Sequence, residues 1–138
     1  MNILSMTLLQ LREALDQGNL SSVELVRFYL DRIAKLNLEG DKINAVLEVN
    51  PEALLLADMK DHERKMSCAK GALHGIPVVV KDNIDTADMM HTSAGSLSLK
   101  DHYAAKDSFV ARQLRESGAI SQYDGMGEFH DQGDEKWL

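Results

Sequence analysis

Residues Gly71 to Asp85, reading Gly-Ala-Leu-His-Gly-Ile-Pro-Val-Val-Val-Lys-Asp-Asn-Ile-Asp, restrict the chain more than any other stretch. Val78, Val79 and Val80 are consecutive β-branched residues without polar alternation, the pattern of a short strand buried on both faces. Lys81 stands where that strand should leave the core, so its ammonium is expected beside a low-dielectric wall. Such a position disfavours the charged form and suits an amine to act as a base. A strand-end lysine can equally snorkel into water, and the residue types alone leave both readings open.

The flanking segments alternate helix and strand signals. Thr7 with Gln10 forms a capping-box pattern before Leu8, Leu11 and Leu15, and Gly18 is a stop. Ser21 with Glu24 repeats the pattern before an apolar stripe of Leu25, Val26, Tyr29, Leu30, Ile33 and Leu36, which should end between Asn37 and Gly40. Ile43, Ala45, Leu47 and Val49 alternate with polar neighbours, with Val46 as an exception, and predict a strand. Asn50-Pro51 opens another helix that fades near Ser67, and the residues from Ser67 to Gly75 read as loop. Asp107 or Ser108 caps a helix carrying Val110, Ala111 and Leu114, Gly118 stops it, and Ala119-Ile120 begins a strand. Together these predict an α/β fold with amino-terminal helices beside the first strands of a mixed sheet.

The pattern weakens after Ile120. Residues 121–138 hold Asp124, Glu128, Asp131, Asp134 and Glu135 against Lys136, with three glycines, a composition that buries little. The strand is therefore expected to be cut short. The chain divides on this reading into residues 1–120 and a divergent acidic tail, 121–138, that is poorly ordered and leaves Trp137 exposed or loosely docked.

Several function classes drop out on composition. The 15 Lys and Arg are scattered without a basic stripe and the net charge is −7, so no nucleic-acid partner is expected. No apolar run approaches the ~20 residues of a membrane span, and Met1 to Leu9 lacks a basic leader before Arg12 and Glu13, so a cytoplasmic location is expected. One cysteine, Cys68, excludes an internal disulfide and reads as an inert small residue. The histidines at 62, 74, 91, 102 and 130 show no metal-ligand spacing, and Asp82, Asp85 and Asp88 lack the glycine and terminal glutamate of a calcium loop. No glycine-rich phosphate loop is present, and the seven methionines read as core fillers.

Three blocks carry a more specific signal: Lys81-Asp82-Asn83-Ile84-Asp85-Thr86, then Thr92-Ser93-Ala94-Gly95-Ser96, then Asp107-Ser108-Phe109-Val110 through Leu114-Arg115-Glu116-Ser117-Gly118-Ala119-Ile120. Over about residues 5 to 120 the chain closely resembles the amidase signature family. The resemblance implies a hydrolase that cleaves carboxamide C–N bonds through a Ser-cisSer-Lys triad, with no metal or organic cofactor. It places Lys81 at the catalytic lysine, lets Asp82 and Asn83 shape the turn around it, and makes the segment of Ser93 and Ser96 a supporting element. Neither those serines nor Ser98 lies in a motif that would make it a nucleophile.

Both catalytic serines of the family belong to a Gly/Ser-rich segment several tens of residues after the lysine, and the 138 residues hold no Gly-Gly-Ser-Ser-type run. A serine hydroxyl needs a base before it attacks, and a base without that nucleophile performs no acyl transfer. The chain is therefore expected to be the amino-terminal part of a larger fold, inactive alone, acting on a small amide only when the serine-bearing part is supplied. The alternative expectation is a non-catalytic binding or assembly module that docks a partner chain through an uncovered apolar sheet edge. A third is a degenerate product without selected function.

Overall fold

In a computed structural model, residues 2–67 and 69–126 are described, residues 122–126 by their backbone alone. Cys68, the acidic run from residue 127 and Trp137 lie outside them. The elements run α1 (Leu8–Asp16), α2 (Ser22–Ile33), β1 (Val46–Val49), α3 (Ala53–Ser67), β2 (Pro77–Val80), α4 (Phe109–Glu116) and β3 (Ile120–Met126). The three strands form one mixed sheet in the order β1-β3-β2, with β3 antiparallel to β1 and parallel to β2.

Both expected capping boxes form. Thr7 Oγ1 accepts from the Gln10 amide while Gln10 Oε1 accepts from the Thr7 amide at 2.8 Å, and Ser21 and Glu24 do the same at the head of α2. All of the first four amides of α2, which no helix can satisfy internally, have partners. Counted from the cap, that of Ser21 donates to the Glu24 carboxylate at 2.8 Å, those of Ser22 and Val23 to the Asp61 carboxylate at 2.7 and 3.1 Å, and that of Glu24 to Ser21 Oγ. Asp61 lies on α3, so a second helix caps the first and places a negative charge at its positive end. After Ile33 the chain widens into a π-helical turn, Ala34–Glu39, and stops at Gly40, within the expected interval.

Adjacent residues of α2 serve two cores. Leu25 packs with Leu11, Ala14 and Leu15 of α1 and with Ile76, whereas Val26 packs with Ala53 and Ala57 of α3 and Ile120 of β3. Both are fully buried, and burial of each side chain stabilises the fold by roughly 1.5–3 kcal/mol. Asn50 ties the second core to the sheet: its Oδ1 accepts from the Glu52 amide at the start of α3, and its Nδ2 donates to the Ser121 carbonyl at 3.0 Å.

Several expectations are corrected. The first strand begins only at Val46, because Lys42 and Asn44 take left-handed φ values of 50° and 51° that extended pairing cannot accommodate. Its expected inward residue Leu47 is 59% exposed, while Glu48 is half-buried against His91. β2 is not buried on both faces: it lies at the sheet edge and Val79 is 48% exposed, so the valines alternate after all. The last strand is not cut short at Ile120; it runs to Met126 and forms the middle of the sheet, because backbone pairing on both sides holds it where side-chain hydrophobicity fades. On α4, Val110 is exposed and Ala111 buried. Met90 is fully buried, but Met59, Met66 and Met89 are exposed.

The loop before β2 is clamped to the α4–β3 junction. The Leu73 amide donates to Ser117 O, Gly75 to Gly118 O and Ile120 to Ile76 O, at 2.9–3.0 Å. Gly118 takes φ +87°, and a Cβ there would lie 2.7 Å from the His74 Cα. His74 is buried, accepts from the Lys70 amide at Nδ1 and donates from Nε2 to the Lys60 carbonyl at 3.0 Å, which requires the neutral ring protonated at Nε2. Burial is the main cause that holds its pKa below the ordinary imidazole value.

Gly118→Ala is expected to destabilise the chain by roughly 3 kcal/mol through both strain and overlap, read as a lower urea midpoint. His74 gives a pH dependence whose sign follows from its lowered pKa: the unfolded imidazole takes its proton first. Its contribution is complete above about pH 6.5 and declines as pH falls through the folded-state value. Urea midpoints between pH 8 and pH 5 should fall, and His74→Gln should flatten that part of the curve.

Candidate active site

Strands β2 and β3 are parallel, and residues 81–108 with α4 form the crossover between them. In open α/β sheets ligands collect outside the carboxyl ends of such strands. Lys81 is the first residue past that end of β2. It is exposed among the described residues, so the expected apolar wall does not enclose it. Its carbonyl accepts from the Ile84 amide at 2.9 Å, which turns the chain immediately after the lysine.

Asp82 points the other way and is 6% exposed. Its Oδ1 accepts from the Ser93 amide at 2.7 Å, and its Oδ2 accepts from Ser93 Oγ at 2.5 Å and from the Gly95 amide at 3.3 Å. The Asp82 carbonyl takes the remaining amide of this run, that of Ala94, at 3.1 Å. Burial alone would raise the carboxyl pKa, but the bonds from Ser93, Gly95 and Ala94 outweigh it and hold it below the ordinary value. The Thr92–Ser96 segment is thereby fastened to the lysine turn.

The rest of the crossover is held by further carboxylates. Arg115 of α4 pairs with Asp107 through Nε at 2.9 Å and Nη2 at 3.0 Å, and Nη2 also reaches Asp88 at 3.3 Å. Asp107 accepts from the Ala87 amide at 2.7 Å, and Asp88 from Thr86 Oγ1 and the Met90 amide. The Arg115 bonds are the largest cause that lowers the Asp107 pKa, and those to Asp107 are the largest that raises the Arg115 pKa. Nearer β1, Glu48 accepts from the His91 amide at 2.8 Å and meets His91 Nδ1 at 3.0 Å, with the Tyr103 ring 4.1 Å from the imidazole.

Of the residues singled out in the sequence, the structure thus brings Asp82 together with Ser93 and Gly95 beside Lys81. Asp107 is an ion-pair partner, while Ser108 caps α4. The parts played by Glu48, Asp88 and Arg115 were missed, since the Glu48–His91 and Asp88–Arg115 contacts span 43 and 27 residues, and the 8-residue spacing of Arg115 and Asp107 matches no local pattern. Among the described residues no group of three or more His, Cys, Asp or Glu is placed to hold a metal ion, and no helix is long and apolar enough to cross a membrane.

A family profile described as Amidase matches residues 24–122. A protein of Schizosaccharomyces pombe named as an amidase is 41% identical over 114 residues, 83% of this chain and 19% of that protein. A glutamyl-tRNA(Gln) amidotransferase subunit of Azoarcus sp. is 37% identical over 112 residues, 81% of this chain and 22% of that one. The native peptide amidase of Stenotrophomonas maltophilia superposes with a TM-score of 0.80 at 41% identity, over 86% of this chain and 24% of its own. The chain therefore spans about a fifth of the length of these curated relatives and about a quarter of that structure.

Asp82 and Asp107 set the acid limit of the crossover. Their pKa values are lowered, so the unfolded carboxyls, near ~3.9, protonate first. Their stabilisation is complete above about pH 5 and is lost as pH falls through the folded-state values. Carboxyl-carbon NMR titration should find both midpoints below ~3.9, and a midpoint at or above it would contradict the geometry.

Proposed function

The chain belongs to the amidase family, and from that membership we propose that it supplies the lysine of a Ser-cisSer-Lys site that hydrolyses carboxamides. The observation that carries this reading is Lys81 at the carboxyl end of a parallel strand, on a turn fastened by Asp82 to a folded crossover. Lys81 is the base. It takes the proton of the nucleophilic serine through the bridging serine, and the serine oxygen then attacks the amide carbonyl. No metal or organic cofactor takes part.

Both serines, and the backbone amides that stabilise the tetrahedral oxyanion, belong to a segment outside these 138 residues. Residues 1–120, with the strand that continues to Met126, act as the amino-terminal part of the amidase-like domain, the residues after it as a divergent tail, and the 138 residues alone do not hydrolyse amides. The site works in the cytoplasm on a small carboxamide.

A second reading, in which the segment docks a partner chain without catalysis, draws support from Leu47 and Val79, apolar and exposed on the two outer strands. The Azoarcus relative is itself named as one component of a larger enzyme.

The two readings separate in a chimaera in which residues 1–126 replace the matching quarter of the peptide amidase. Catalytic competence predicts amide hydrolysis that Lys81→Met lowers about a thousandfold or more in kcat, with KM changed little. A folded chimaera in which Lys81→Met keeps full activity would remove the lysine from the mechanism, and a folded but inactive chimaera would favour the docking reading.

A further inference from the structure

Residue 82 collects four hydrogen-bond donors from one short loop. The successive amides of Ser93, Ala94 and Gly95 and the Ser93 hydroxyl all end on Asp82, through both carboxylate oxygens and the carbonyl. That convergence is not the loop's relaxed conformation. Ala94 takes φ 50°, a left-handed angle that costs a residue with a side chain roughly 1–2 kcal/mol, and Gly95 follows at φ 71°. Two consecutive left-handed residues turn the amides inward, so the strain is held by what the amides meet, a buried anion.

We propose that Asp82 is a positioning residue: its carboxylate locks the Thr92–Ser96 loop and the Lys81 turn into one unit, fixing the direction in which the lysine leaves β2. The significance for catalysis rests on the reading of Lys81 as the base; the lock itself does not. An aspartate is required by arithmetic. Three donors reach two side-chain oxygens that accept only, whereas an amide offers one acceptor oxygen and turns an N–H₂ towards donors it cannot satisfy. Glutamate would carry the charge one methylene too far into a site already closed by the Asp82 carbonyl's own bond to Ala94.

The test compares the 138-residue chain with Asp82→Asn, Asp82→Ala and the milder Ser93→Ala. Amide hydrogen exchange is read at Ser93, Ala94 and Gly95, and acylation of Lys81 by an N-hydroxysuccinimide ester is read against Lys35 by mass spectrometry. Loss of a charge-assisted bond should speed exchange at Ser93 and Gly95 by about tenfold or more in both Asp82 variants, and severalfold in Ser93→Ala. The Lys81-to-Lys35 labelling ratio should change by about threefold or more in Asp82→Ala. Gly118→Ala, which destabilises the fold elsewhere, should leave that ratio unchanged. Exchange and labelling that match the parent in Asp82→Asn and Ser93→Ala overturn the proposal, and so does a ratio that moves equally in Gly118→Ala. Should Lys81 prove not to be the base, the chimaera carrying Lys81→Met would stay active while these exchange results stood unchanged.

Discussion

The parallel pairing of β2 with β3 is the constraint from which the rest of the structure follows. Parallel strands cannot be joined by a tight turn, so the chain between Val80 and Ile120 must leave the sheet, cover ground and return. That detour contains the lysine turn, the Thr92–Ser96 loop and α4. It also explains the glycines. The loop before β2 and the end of α4 approach closely enough for Gly75 and Gly118 to exchange a main-chain bond, and a side chain on Gly118 would overlap His74.

Most of that crossover has no regular structure, and a connection of such length must find other partners for its backbone groups. Carboxylates supply many of them. Asp82, Asp88, Asp107 and Glu48 accept from main-chain amides as well as from side chains, so each acid replaces at least one bond that a helix would have made internally, and Asp82 two. An acidic chain is suited to this use, because an ionised carboxylate accepts through two oxygens and does so more strongly than a neutral group. The same dependence makes the crossover sensitive to acid, as the Asp61 and Glu24 carboxylates make the head of α2.

The amino-terminal helices contribute by holding the sheet edge. Through Leu25 and Val26 the second helix joins the core around Ile76, just before β2, to the core around Ile120, at the start of β3. The amino ends of both parallel strands are thus held by one helix. Leu47 and Val79 remain exposed on the outer strands, consistent with a segment that matches about a quarter of a solved amidase chain.

Much of this was legible in the residues, and the division between what was and was not has a physical basis. Capping boxes at Thr7 and Ser21, the stops at Gly18 and Gly118 and the turn at Asn50 that leads into α3 are written locally, because the groups that satisfy one another lie within three or four residues. The family resemblance likewise rests on contiguous blocks. Which side of a strand faces the core, that β3 continues through a polar run, and that Asp82 holds Ser93 while Arg115 holds Asp107 and Asp88 were decided only by tertiary structure. A carboxylate's spacing does not say which distant amide it will accept from. That choice belongs to the sheet, which brings together groups whose sequence separation carries no signal.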